Sequence, residues 1–168
     1  MAKAHEIHSW KENEAHRGQV QQLSIANDAL GAGASMGLVI KTDGLTRSRL
    51  CFSVAAGADG RVMLYEDPTL SSSTLAAACN MNRRKASTVG TTASFGSAPV
   101  FAKGSASVLF DQLLPGGTGV AVIGNRYGSE MDWILDSEAT YIISACNKSA
   151  AADLFSVSAV ILASTPPE

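Results

Sequence analysis

Glu130-Met131-Asp132-Trp133-Ile134-Leu135-Asp136-Ser137-Glu138-Ala139-Thr140-Tyr141-Ile142-Ile143-Ser144-Ala145 is the stretch that decides the fold class. Side chains of a strand point alternately to opposite sides, so Met131, Trp133 and Leu135 share one face of the first six residues. Tyr141, Ile143 and Ala145 share one face of the last six. Between them Asp136-Ser137-Glu138-Ala139 has the length and polarity of a hairpin turn. The stretch therefore predicts two paired antiparallel strands. Just upstream, Pro115-Gly116-Gly117-Thr118-Gly119 breaks the chain, and no helical periodicity appears from Leu109 to Asn147.

The same pattern continues in both directions. Leu38-Val39-Ile40 predicts a strand closed by Asp43-Gly44, and Arg49–Val54 places Leu50, Phe52 and Val54 on one face. After the turn Gly57-Ala58-Asp59-Gly60, the run Arg61–Glu66 stands at the spacing of a hairpin partner, and Pro68 ends it. Leu70–Ala78 is too short and mixed for a helix and is expected as a loop or single turn. Ser87–Ala93 reads as an edge strand and Ala106–Leu113 as another. Asp153–Ala163 alternates Phe155, Val157, Ala159 and Ile161, is expected to pair with Thr140–Asn147, and is stopped by Pro166-Pro167. About eight strands between turn signals predict an all-β, antiparallel β-sandwich of jelly-roll type.

Residues 1–36 differ in kind, and we expect them to be an extended N-terminal arm before a sandwich domain at 37–168. His5–Gln22 is rich in charged and amide groups, and Gly31–Gly37 reads as a hinge. Trp10–Leu23 holds too few apolar residues for a strongly amphipathic helix. Trp10, Val20, Leu23, Ile25 and Leu30 are nevertheless costly to leave in water, which makes the arm a candidate for ordering against a neighbouring surface.

Composition narrows the function classes. With 168 residues, one domain is expected. Charged residues make up 17%, against a typical ~25%, and Lys+Arg 13 against Asp+Glu 15 leaves a net charge of -2, so no basic footprint for nucleic acid is expected. No run approaches the roughly 18 apolar residues of a membrane span, and no apolar signal core follows Met1, so synthesis in the cytosol without a membrane partner is expected. Cys51, Cys79 and Cys146 lack metal-type spacing and are expected to be reduced and buried.

Enzymatic readings find little support. His5 and His8 are three apart, whereas a zincin helix needs its histidines four apart. Every histidine lies in the first 16 residues, which removes the ligand set of a cupin-like enzyme and the base of a Ser-His-Asp site from the expected strands. Gly31–Gly37 precedes a strand and lacks the Gly-Lys-Ser/Thr ending of a phosphate loop. We therefore expect no catalytic residue, metal or cofactor. Arg83-Arg84-Lys85 is a candidate for touching phosphate or an acidic partner, and Asn147-Lys148-Ser149 matches a glycosylation acceptor in form only.

Several phrases in order carry a resemblance: Met63-Leu64-Tyr65-Glu66-Asp67-Pro68-Thr69, Asn80-Met81-Asn82-Arg83, Pro115-Gly116-Gly117-Thr118-Gly119, and Asp132-Trp133-Ile134-Leu135 leading to Tyr141-Ile142-Ile143. Over roughly Leu50 to Ala163 the chain resembles tailed-bacteriophage virion proteins of the jelly-roll capsid decoration or cement type. The resemblance implies a structural protein on the outer surface of the assembled head, with the major capsid protein and further copies of itself as partners, commonly as a homotrimer. On that reading the contacts to capsid or sister subunits are expected from Trp10, Arg17, Val20, Leu23, Ile25 and Leu30 of the arm and from Arg83, Arg84 and Lys85. A tail or fibre module that binds a receptor or glycan is the alternative, and a degenerate cupin-like enzyme the second.

Overall fold

The computed structural model describes residues 20–42, 47–75, 79–80, 93–116, 121–124 and 133–164. They form strands joined by turns: β1 (Val20–Leu30), β2 (Ser35–Thr42), β3 (Arg47–Ala56), β4 (Gly60–Glu66), β5 (Thr69–Leu75), β6 (Cys79–Asn80), β7 (Ala93–Ala102), β8 (Ser107–Leu114), β9 (Ala121–Gly124), β10 (Trp133–Leu135), β11 (Thr140–Asn147) and β12 (Asp153–Ser164). Two antiparallel sheets result. The first runs β10-β3-β12-β1-β6, with β9 beside β10 on the same edge of β3; the second runs β5-β7-β2-β11-β4-β8.

The pairing is that of a jelly roll. Outer strands pair with outer and inner with inner along the chain: β1 with β12, β2 with β11, β3 with β9 and β10, β4 with β8. Rolling this ribbon brings β12 against β3 and β11 against β4. The expected eight positions are thus present, one of them filled by the broken strand β9/β10. Three strands from the segment between β4 and β8 extend the sheets: β7 and β5 beyond β2, and β6 beyond β1.

Among the described residues, no strand pairs with its neighbour in sequence, and three expected hairpins are corrected accordingly. β10 pairs with β3 in the first sheet while β11 lies in the second, so Asp136–Ala139 is a corner between sheets. β4 pairs with β11 and β8 instead of β3, and β12 pairs with β1 and β3 instead of β11. Alternation names the buried face of a strand but not the strand beside it. Leu70–Ala78 is corrected too: its first part belongs to β5, whose Ser and Thr side chains tolerate an exposed edge.

The arm is corrected at its boundary. Residues 20–30 form β1, held between β12 and β6. Sparse apolar positions that make a poor helix face suit a strand, because Leu23 and Ile25 are two apart and point into the sandwich. Gly31–Ala34 is a tight turn, closed by Ala34 N–H donating to Gly31 O at 3.0 Å with Gly33 at φ 72°, rather than a hinge.

Between the sheets Leu38, Leu50, Phe52, Val54, Leu64, Tyr141, Ile143, Phe155 and Val157 make one apolar core. Phe52 of β3 meets Phe110 of β8 edge to face across it, centroids 5.4 Å apart. Each sheet also buries apolar groups on its far side: Val20, Cys51, Val160 and Leu162 on the first, Val39, Tyr65 and Ile142 on the second.

The second far-side cluster has a visible cover. β7 pairs with β2 up to Ser97↔Leu38, turns at Ala98 (φ 47°), and carries Pro99 and Phe101 over the outer face. Phe101 meets Tyr65 with centroids 5.2 Å apart. Gly37 makes room beneath: a Cβ there would lie 2.5 Å from Ile143 O and 3.3 Å from Pro99 Cγ. The β5–β7 ribbon is thus a strap across the second sheet.

Candidate interaction surface

The two ends of the roll are tied by buried polar groups. At one end Asn147, fully buried, donates from Nδ2 to Leu30 O at 2.7 Å and to Ala151 O at 2.8 Å, while its Oδ1 accepts from Ser149 N–H at 2.8 Å. Its backbone N–H reaches Ala34 O at 2.9 Å, so one residue joins the corner after β1 to the corner after β11. The glycosylation-like triplet is therefore a structural knot, with its amide nitrogen already engaged.

At the other end Tyr141 lies in the core with its hydroxyl at the rim. It donates to Glu66 Oε1 at 2.8 Å and accepts from Asp136 N–H at 2.7 Å. Burial, then the bond to Glu66, holds the phenol far above its ordinary range, so it stays neutral and keeps its proton to donate. Thr42 completes the corner, donating from Oγ1 to Asp136 O at 2.7 Å and accepting from Ala139 N–H at 2.9 Å. Glu66, Asp67 and Asp136 meet here, yet Glu66 Oε1 and Asp67 Oδ1 accept from Tyr141 and the Thr140 N–H. The arrangement is a latch for the crossover.

Of the contact residues expected from sequence, Val20, Leu23 and Leu30 are buried and Ile25 packs half-buried on the main core. Those four are corrected: their side chains hold the sandwich together and do not face a partner. The signal was misread because apolar residues in a polar stretch fit an edge-to-edge strand as well as a docking arm. Trp10, Arg17, Arg83, Arg84 and Lys85 lie outside the described residues.

What the protein offers to the outside lies elsewhere. Val122 (50% exposed) on β9 and Ile134 (69%) on β10 stand on the outer face of the first sheet. Between them and β1 that face carries Arg49, which stands opposite Ile134 in the register, and the Ser24 and Ser158 hydroxyls, 2.8 Å apart. On the second sheet Val108 (38%) and Leu113 (68%) project outward from β8. Beside them Arg61 grips Asp111 through two parallel bonds, Nε to Oδ1 at 2.7 Å and Nη2 to Oδ2 at 2.5 Å. That fork lowers the Asp111 carboxyl below its usual range and raises Arg61 above its own. Sequence reading passed over Leu113 and Val108 because strand alternation assigned them to a strand without saying which neighbours would cover them.

No family model and no curated protein matches the chain. Among the described residues no group of three His, Cys, Asp or Glu side chains is placed to hold a metal ion, and no helix is long and apolar enough to cross a membrane.

Proposed function

We propose that the protein is a non-enzymatic bacteriophage virion structural protein, a capsid decoration or cement protein that binds the outer surface of the assembled head and stabilises the shell. The observation that carries this reading is the jelly-roll pairing around an interior filled by apolar side chains, the architecture the resemblance implied. With the interior packed, chemistry is left to the surface, where exposed Val122 and Ile134 share the outer sheet face with Arg49 and the Ser24 and Ser158 hydroxyls. An open sheet face suits docking on a broad surface better than enclosing a small ligand.

The physical role follows from mass action. A protein that binds the assembled shell and not its dispersed subunits stabilises the shell at every occupied site, by an amount set by its concentration relative to Kd. Rigidity matters because a preorganised scaffold loses little conformational entropy on binding. The roll supplies that rigidity through the Asn147 and Tyr141 latches. In the residues before β1, Trp10 and Arg17 are of the side-chain types that anchor such contacts.

Gold-labelled full-length protein, added to virions of the phage that encodes it and imaged by negative stain, tests the reading. Label over the heads, with a raised disruption temperature of the particles, is the expected result. Label confined to tail tips would assign the protein to receptor-binding modules, and unlabelled virions would overturn the proposal.

A further inference from the structure

Four strand edges border the two sheets among the described residues, and three are blunted. β6 has two residues, β9 and β10 are short pieces of four and three, and β5 is broken by two register shifts and lined with exposed Ser and Thr. Short, interrupted or polar edges resist pairing with another chain. β8 is the exception. It runs eight residues, has a single shift at Leu109, and leaves Phe110–Leu114 regular beside β4.

Over Phe110–Leu114 little on β8 guards its open side. The strand holds no Lys, Arg or Pro, the residues that commonly protect an edge. Its one charge, Asp111, is neutralised within the chain by the Arg61 fork, so two copies of the strand would meet without like-charge repulsion. On the outward face Val108 and Leu113 stand near opposite ends of the strand, both exposed.

We propose that β8 pairs antiparallel with β8 of a second copy of this chain, joining the two second sheets into one continuous sheet across a two-fold axis. An axis at Asp111, the centre of the strand once the extra residue Leu109 is set aside, places Val108 of each copy against Leu113 of the other, so both exposed apolar groups are covered by one operation. The open backbone N–H and C=O groups of the edge gain partners, which supplies affinity, and the Val–Leu pairs fix the register. The pairing is independent of what larger surface the protein binds, and a two-fold pair differs from the three-fold assembly that the resemblance implied.

Sedimentation of the full chain over a range of concentrations tests it. The expected species is a dimer that dissociates on dilution. Leu113→Lys and Val108→Lys weaken the dimer roughly tenfold or more, since each change acts twice per pair. Ile134→Lys, on the opposite sheet and equally exposed, leaves the dimer intact. Amide exchange supplies a readout that needs no variant: protection of residues 108–113 rises with protein concentration. A chain monomeric at all concentrations, a trimer, a dimer insensitive to Leu113→Lys, or β8 exchange independent of concentration would each overturn the proposal.

Discussion

Single residues hold the corners where the chain passes between sheets. Asn147→Ala removes the donors to the buried carbonyl of Leu30 and the partly exposed carbonyl of Ala151. At about 1–3 kcal/mol for a buried group left unpaired, the Leu30 carbonyl sets a loss of about 1–3 kcal/mol, read as a lower urea midpoint with unchanged slope. Tyr141→Phe leaves the Asp136 N–H and Glu66 unpaired and costs about 1–2 kcal/mol. The pH dependence has a definite sign. Because the folded phenol titrates above its unfolded value near 10, its contribution is complete below pH 10 and fades as pH rises beyond it. Unfolding followed from pH 8 upward therefore shows a decline in the native protein that is reduced in Tyr141→Phe. Asp111, lowered by its bond to Arg61, acts in the opposite direction: its contribution is present above the ordinary carboxylate pKa and lost in acid.

Among the elements, the strap is the feature that depends most on backbone geometry. Ala98 turns it with φ 47°, a region that costs a non-glycine residue about 1–2 kcal/mol. Glycine removes that strain but has more backbone freedom to lose, about 0.5–1 kcal/mol. Ala98→Gly should therefore be neutral to slightly stabilising, by up to about 1 kcal/mol in thermal unfolding, whereas alanine to glycine elsewhere in a strand destabilises. Phe101→Ala removes the contact with Tyr65 and should cost about 1–2 kcal/mol, accompanied by faster exchange of the amides around Val39 and Ile142.

For the whole molecule, the ribbon topology makes the two ends of the described chain interdependent. β1 pairs with β12 over nearly its full length, and Val20, Leu23 and Leu30 are buried. At about 1.5–3 kcal/mol for each buried side chain, β1 carries roughly 5–9 kcal/mol, comparable to the entire stability of a typical domain. Deleting residues 1–36 should therefore abolish the cooperative thermal transition, measured by circular dichroism, and not merely release a binding arm. A pairing between residues so distant in sequence also predicts slow refolding, in the millisecond-to-second range.

Particular elements show how far the sequence was legible. The inward faces of β3, β11 and β12 were readable from alternation alone, because a side-chain period of two is a local property of any strand. Leu50, Phe52, Val54, Tyr141, Ile143, Phe155 and Val157 are all in the core where alternation placed them. Partnership was not readable: the polar link Asp136–Ala139 has the composition of a hairpin turn and instead carries the chain between sheets, held by Tyr141 and Thr42 from other strands. The same limit hid the candidate site. Leu113 is as apolar as Leu114, yet one is 68% exposed and the other 1%, a difference set by which face of β8 meets the opposite sheet.

The amino-acid order by itself determined that this chain is all-β and which side of most strands seeks apolar company, since both follow from the geometry of neighbouring residues. Only the tertiary structure decided which strands lie side by side, that β1 belongs to the sandwich, that a strap covers Tyr65, and that β8 is left with an open edge among the described residues. Those outcomes depend on contacts between residues far apart in the chain, and a local pattern carries no record of them.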